Sequence, residues 1–178
     1  MPFWDKFLKN YSSLSVKSGK RHATLVIRMS YYCMHIYIYI DINKTYDLHE
    51  LEKLCESVGW VKRPPKRIAS ALENSFMVMS LFYVHDTRKK TVGFVRVTSD
   101  SAFNATIWDF VIDPKFQGMG LGKTLMYYLV QQLRSYDIST ITLFADAQVI
   151  TFYEQLGFIA DPSRVKGMFW YPKCAFCN

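Results

Sequence analysis

Long apolar runs are missing from this 178-residue chain. Arg28 and His35 interrupt the longest candidate, so no stretch reaches the roughly 20 residues that cross a bilayer. A helical membrane span is therefore not expected. Cysteine is scarce, with only Cys33, Cys55, Cys174 and Cys177. No secretory signal is visible, so a disulfide framework is not expected either. Cys174 and Cys177 form a lone C-x-x-C, and a zinc site needs two further ligands. His22, His35, His49 and His85 show no metal-type pairing among themselves. No metal is expected. Repeats and low-complexity segments are absent. Acidic residues are outnumbered, and the net charge is +7. A moderate excess of this kind serves solubility or draws an anionic partner. Lys62, Arg63, Lys66 and Arg67 flank two prolines, and Arg88, Lys89 and Lys90 sit at a turn. Neither cluster carries a nucleic-acid motif, so both read as solvated surface and no nucleic-acid partner is expected.

Glycine is sparse too, but three of the eight fall at 118, 120 and 122. An apolar strand-like run ends at Asp113-Pro114, the glycines follow, and an amphipathic helix pattern begins at once. Free N–H groups and the helix dipole make such a junction an anion cradle. Spacing decides which anion. A Walker A loop ending at Gly122-Lys123-Thr124 would need glycine where Gln117 stands. A dinucleotide loop starting at Gly118 would need glycine where Lys123 stands. What fits is Gln/Arg-x-x-Gly-x-Gly/Ala, carried by Gln117, Gly120 and Gly122.

One compact domain suits this length. Residues 1–30 read as an N-terminal arm and 31–178 as the domain, with Arg21 to Met29 either strand or arm. Strict alternation from Met34 to Ile42 predicts a strand. Asp47 can cap a helix, with Glu50 completing a capping box and Gly59 as the stop. Pro64-Pro65 starts a second helix to Asn74. Strands are expected at 76–84, 91–98 and 104–113, then a helix at 121–136 and a strand at 138–144. A short helix at 147–156 and strands at 158–160 and 165–171 close the chain.

Phe152-Tyr153-Glu154-Gln155-Leu156-Gly157-Phe158 supplies a second motif. With the loop and the order β-α-α-β-β-β-α-β-α-β-β, the chain resembles the GNAT acyltransferase superfamily from about Met34 to Tyr171. Segments 51–60, 71–76, 143–146 and 166–172 resemble its plastid and cyanobacterial branch. That branch includes chloroplast serotonin N-acetyltransferase, chloroplast protein-lysine acetyltransferases and a red-algal plastid reading frame. The resemblance implies an α/β fold, a mixed central sheet with helices on both faces. It implies an acetyl-CoA-dependent N-acetyltransferase acting on a primary amine by direct attack. The acceptor is expected to be an arylalkylamine such as serotonin, or else protein lysine. A non-catalytic acyl-CoA-binding module is the alternative, and Tyr153 and Asp109 argue against it because binding needs neither.

The resemblance also assigns residues. Phe110, Val111 and Ile112 would run beside the pantetheine arm, with a backbone N–H near Val111 as oxyanion donor. Gln117, Gly118, Met119, Gly120, Leu121, Gly122 and Lys123 would wrap the pyrophosphate. Tyr153 aligns with the general acid that protonates the thiolate. Asp109, a carboxylate in the apolar run Ile107 to Val111, is the preferred base, directly or through water; the alternative is an outward-facing edge carboxylate. Asp146 stands where many members carry Asn, and is expected to cap the helix that follows and contact cofactor or amine. Glu73 and His85 are weaker base candidates. Residues 141–144 hold no carboxylate, which disfavours the N-terminal acetyltransferases that use one there. A monomer or homodimer in the plastid stroma is expected, or the cytoplasm of a cyanobacterium.

Overall fold

A computed structural model describes the backbone of residues 14–19, 22–31, 34–41, 46–85 and 88–169, and side chains within 46–83 and 89–169. The chain divides into two units between Phe144 and Ala145. The first is built on a seven-stranded sheet in sequence order. Its strands are β1 (Leu14–Gly19), β2 (His22–Tyr31), β3 (Met34–Asp41), β4 (Met77–His85), β5 (Arg88–Ser99), β6 (Asn104–Ile112) and β7 (Thr140–Leu143). All neighbours are antiparallel except β6 and β7, which run parallel. Part of the expected N-terminal arm thus lies in β1 and β2.

Two helices cover one face, α1 (Leu48–Ser57) and α2 (Pro65–Glu73). Leu51, Leu54, Cys55 and Leu72 pack there with Val78, Phe94 and Val111 from the strands. Asp47 caps α1, accepting from the N–H groups of His49 and Glu50. The expected capping box is not completed. Glu50 turns its carboxylate to Thr91 instead, accepting from its N–H and its hydroxyl. A helix-to-strand anchor on β5 has outcompeted the local partner.

The long helix α3 (Leu121–Ser135) follows the glycine loop and buries Leu121, Leu125, Met126, Leu129 and Leu133. Its contacts are with β4 and β6. Residues next to the α1-facing ones along those strands, such as Met79 and Val95, are fully buried. Successive strand residues face opposite ways, so this is the second face of the sheet. Helices therefore lie on both faces.

The second unit holds a 3-10 turn (Ala147–Val149), the short helix α4 (Ile150–Glu154) and a 3-10 turn at Pro162–Arg164. The strands expected at 158–160 and 165–171 do not form over the described residues. Asp161, Ser163 and Arg164 take positive φ there, and Ile159, Val165, Met168 and Phe169 are exposed. Apolar content alone does not make a strand where no neighbour supplies the ladder. Residues Cys174 and Cys177 lie outside the described residues.

Candidate active site

The parallel pairing of β6 with β7 spans only Asn104–Ile107 against Thr140–Leu143. Beyond Ile107, β6 keeps β5 on one side, and no described strand lies on the other. A bulge sits at this point. Trp108 pairs with Arg96 and Val111 with Phe94, so Asp109 and Phe110 together oppose Val95. Asp109 takes φ 53, a left-handed conformation that aspartate tolerates better than most residues. The extra residue re-aims side chains. It turns Asp109 toward α1 and α2 rather than to an outer edge.

Asp109 meets two cations there. Arg96 Nε donates to Oδ2 at 2.5 Å, and Arg63 Nη1 donates to Oδ1 at 3.0 Å. Both oxygens of the expected base are engaged. They border a cavity of about 200 Å³. Leu51, Trp60, Ile68, Leu72 and Phe94 make its apolar walls, and Glu52, Cys55, Arg63, Arg96 and Asp109 supply polar groups. Lys62 Nζ lies 3.0 Å from Glu52 Oε1, but that oxygen is buried and has no aligned hydrogen-bond donor. Burial pushes the Cys55 thiol up from its ordinary value, and the opposing pull of Arg63 does not cancel it. A protonated thiol is a poor nucleophile. Lys62 and Arg63, read from sequence as solvated surface, thus belong to this cavity. Asp109 stood out as a carboxylate in an apolar strand, but nothing local named Arg63 or Arg96 as its partners.

The glycine loop lies at the other end of β6. Asp113 N–H donates to Val92 O on β5. Alternation along β6 therefore directs the Val111 N–H toward β5 as well. Ile112 faces away from β5, and its carbonyl accepts from Gln117 Nε2 at 2.9 Å. The oxyanion donor expected near Val111 is better sought at the neighbouring Ile112. Gln117 uses its side chain as an internal brace. Gly118 and Gly120 have φ of 75 and 79, and Gly120 is the N-cap of α3. No side chain caps this helix, and no acid occupies its first turn. Thr124 donates its hydroxyl to Gly120 O at 3.1 Å. The first turn of α3 thus carries no side-chain cap and no acid that would compete with an anion at this helix start. The residues present therefore fit a pyrophosphate group.

Asp113 is buried and anchors the loop's entry, accepting from Lys115 N–H at 2.9 Å and Lys90 Nζ at 2.7 Å. Burial pushes its carboxyl up, but the Lys90 and Lys115 interactions outweigh that and hold it below its ordinary value. A depressed carboxylate contributes stability that is full above its unfolded pKa of ~3.9 and lost as pH falls through the folded value. Lys90→Met is expected to lower stability by about 1 kcal/mol at pH 7, read from urea midpoints. The difference from wild type should vanish in acid. A difference that persists when Asp113 is protonated would assign the effect to packing instead.

The second unit carries Tyr153 and Asp146. Tyr153 lies on α4 with ring contacts to Phe152 at 5.1 Å and Phe158 at 5.9 Å. Burial, and then the negative charge of Asp146, push its hydroxyl up from the ordinary phenol value. Asp146 stands at the N-cap position of the 3-10 turn, but its side chain makes no capping hydrogen bond. Only its carbonyl serves, accepting from Val149 N–H at 3.0 Å. The carboxylate is exposed rather than committed to capping. Glu73 is exposed at the end of α2, outside the cavity, and the side chain of His85 lies outside the described ones. Among the described residues no three metal-ligating side chains cluster, and no helix is long and apolar enough to cross a membrane.

Comparison with known proteins bears on the family and the fold. Residues 45–158 match the model of the Acetyltransferase (GNAT) family. The chain is 52% identical over 176 residues to the N-acetyltransferase ycf52 of Pyropia yezoensis, covering 97% of this chain and 100% of that one. It is 50% identical to histone acetyltransferase TAP1 of Glycine max, over 71% of this chain and 58% of that one. It is 38% identical to the chloroplastic serotonin N-acetyltransferase 2 of Oryza sativa, over 70% of this chain and 62% of that one. Among solved structures, a probable acetyltransferase of Staphylococcus aureus superposes with a TM-score of 0.65 at 18% identity, over 76% of this chain and 99% of that one.

Proposed function

The chain belongs to the GNAT family of acetyltransferases, and from that premise we propose that it acetylates a primary amine with an apolar body, an arylalkylamine such as serotonin. The carrying observation is the cavity beside the β6 bulge. Its aromatic and aliphatic walls suit a ring, and its carboxylates suit an ammonium. The rice relative supports this acceptor and a plastid location. The soybean relative supports protein lysine as the second reading.

Acetyl-CoA supplies an activated acyl carbonyl and a thiolate leaving group. The backbone of Gly118 to Lys123 would hold its pyrophosphate at the N-terminus of α3. Ile112 offers a backbone donor on the side of β6 that faces away from β5. An alkylamine is mostly ammonium at neutral pH, with a pKa of ~10. Asp109 takes one proton from it, directly or through water, and the free amine attacks the carbonyl. Tyr153 donates a proton to the departing sulfur, its raised pKa having kept that proton in place, and the second proton released by the attacking nitrogen returns to Tyr153 through solvent. Asp146 tunes Tyr153 through its charge. The cavity's thiol is held protonated, which favours direct attack over an acyl-cysteine route.

The test is an acetyl-transfer assay comparing serotonin, tyramine, spermidine and a lysine peptide. Serotonin and tyramine are expected to give a kcat/KM at least tenfold above the others, a gap of about 1.4 kcal/mol. A lysine peptide that leads by that margin would establish the second reading. Turnover of none of them would return the chain to the non-catalytic alternative.

A further inference from the structure

Asp109 is one anion between two guanidiniums, so this small cluster already carries excess positive charge. An incoming ammonium would add another cation to a partly buried cavity, where like charges repel strongly. Departure of one guanidinium relieves that repulsion and opens a carboxylate oxygen to the amine. The two are not equivalent. The Arg96 side chain is 16% exposed and that of Arg63 is 44% exposed. Arg96 projects from an interior strand and lies over the Trp108 ring at 5.9 Å. Arg63 belongs to the short connection between α1 and α2, just before Pro64. That connection delivers a second cation, Lys62, to Glu52 in the same cavity. The connection thus meets both cavity carboxylates with side chains that carry an amine-like charge.

We propose that Arg63 is a resident competitor for the acceptor. Its guanidinium holds the ammonium position beside Asp109, and a cationic amine binds by displacing it while Arg96 stays. Arg63 then sets acceptor affinity, and a cation without the apolar body to fill the cavity fails to dislodge it. The proposal rests on the acceptor reading given above.

The experiment measures tryptamine binding by calorimetry in the presence of CoA, and steady-state acetylation, for wild type, Arg63→Gln and Arg63→Lys. Arg63→Gln is expected to lower the amine Kd and KM about fivefold, the ceiling for a partly exposed ion pair. The KM for acetyl-CoA should not move. Arg63→Lys keeps the charge and should stay near wild type, which a merely structural role for the guanidinium would not produce. An Arg63→Gln Kd equal to or above that of an active wild type overturns displacement and leaves the acetyltransferase reading intact. A wild type that neither binds nor acetylates tryptamine overturns the acceptor reading and this inference with it.

Discussion

Tyr153→Phe is expected to lower kcat about a hundredfold, the lower range for losing a positioned proton donor. The KM for acetyl-CoA should change little. The substitution removes one oxygen and leaves the ring, so the contacts with Phe152 and Phe158 survive. Stability should stay within about 1 kcal/mol of wild type. The pH dependence gives a second reading of the same role. Burial and Asp146 both raise the phenol pKa, so Tyr153 stays protonated through neutral and mildly alkaline pH. The alkaline limb of the wild-type kcat profile should therefore lie above ~10, the ordinary tyrosine value. Asp146→Asn removes one of the two causes and should draw that limb downward without abolishing it. A Tyr153→Phe enzyme with unchanged kcat would remove the residue from the reaction and leave water as the proton source.

What could be read in advance follows the range of the interactions involved. The glycine loop was legible because its signal is local. Three glycines, a preceding aspartate and the start of an apolar stripe follow one another from Asp113 to Leu125, and the structure sets the start of α3 at Leu121 as expected. Tyr153 was singled out by its motif, and the structure places it on α4. Asp109 was legible only as an anomaly. Its neighbours alternate as a strand, and nothing in them marks the bulge that turns the carboxylate toward α1 and α2. Arg63 and Arg96 lie 46 and 13 residues away, so the pairing that engages both oxygens belongs to tertiary structure. Glu50 fails for the same reason. The capping box is a local reading, and Thr91 lies 41 residues downstream. The described members of the basic clusters are exposed, as read, but charge density says nothing of direction. Lys90, assigned to a solvated turn, reaches the buried Asp113 that anchors the loop.

Gly120→Val should weaken acetyl-CoA binding at least a hundredfold, close to 3 kcal/mol, in a protein that still melts cooperatively. Two effects add. Gly120 has φ 79, where a β-branched residue is strained by roughly 1–2 kcal/mol. Relief of that strain moves the N-cap and misaligns the first-turn N–H groups that receive the pyrophosphate. The new side chain also projects where the anion must approach the backbone. The fold should tolerate the change, because the buried stripe of α3 begins at Leu121 and extends to Leu133. Gly118→Ala separates the two effects. An added Cβ there meets nothing within 4 Å, yet φ 75 still penalises it. Its loss of affinity should be close to tenfold, reflecting strain alone. Isothermal titration with acetyl-CoA reads both. Gly120→Val binding as tightly as wild type would show that this helix start is not the phosphate cradle. If the two variants lose affinity equally, conformation rather than close approach is what the loop requires.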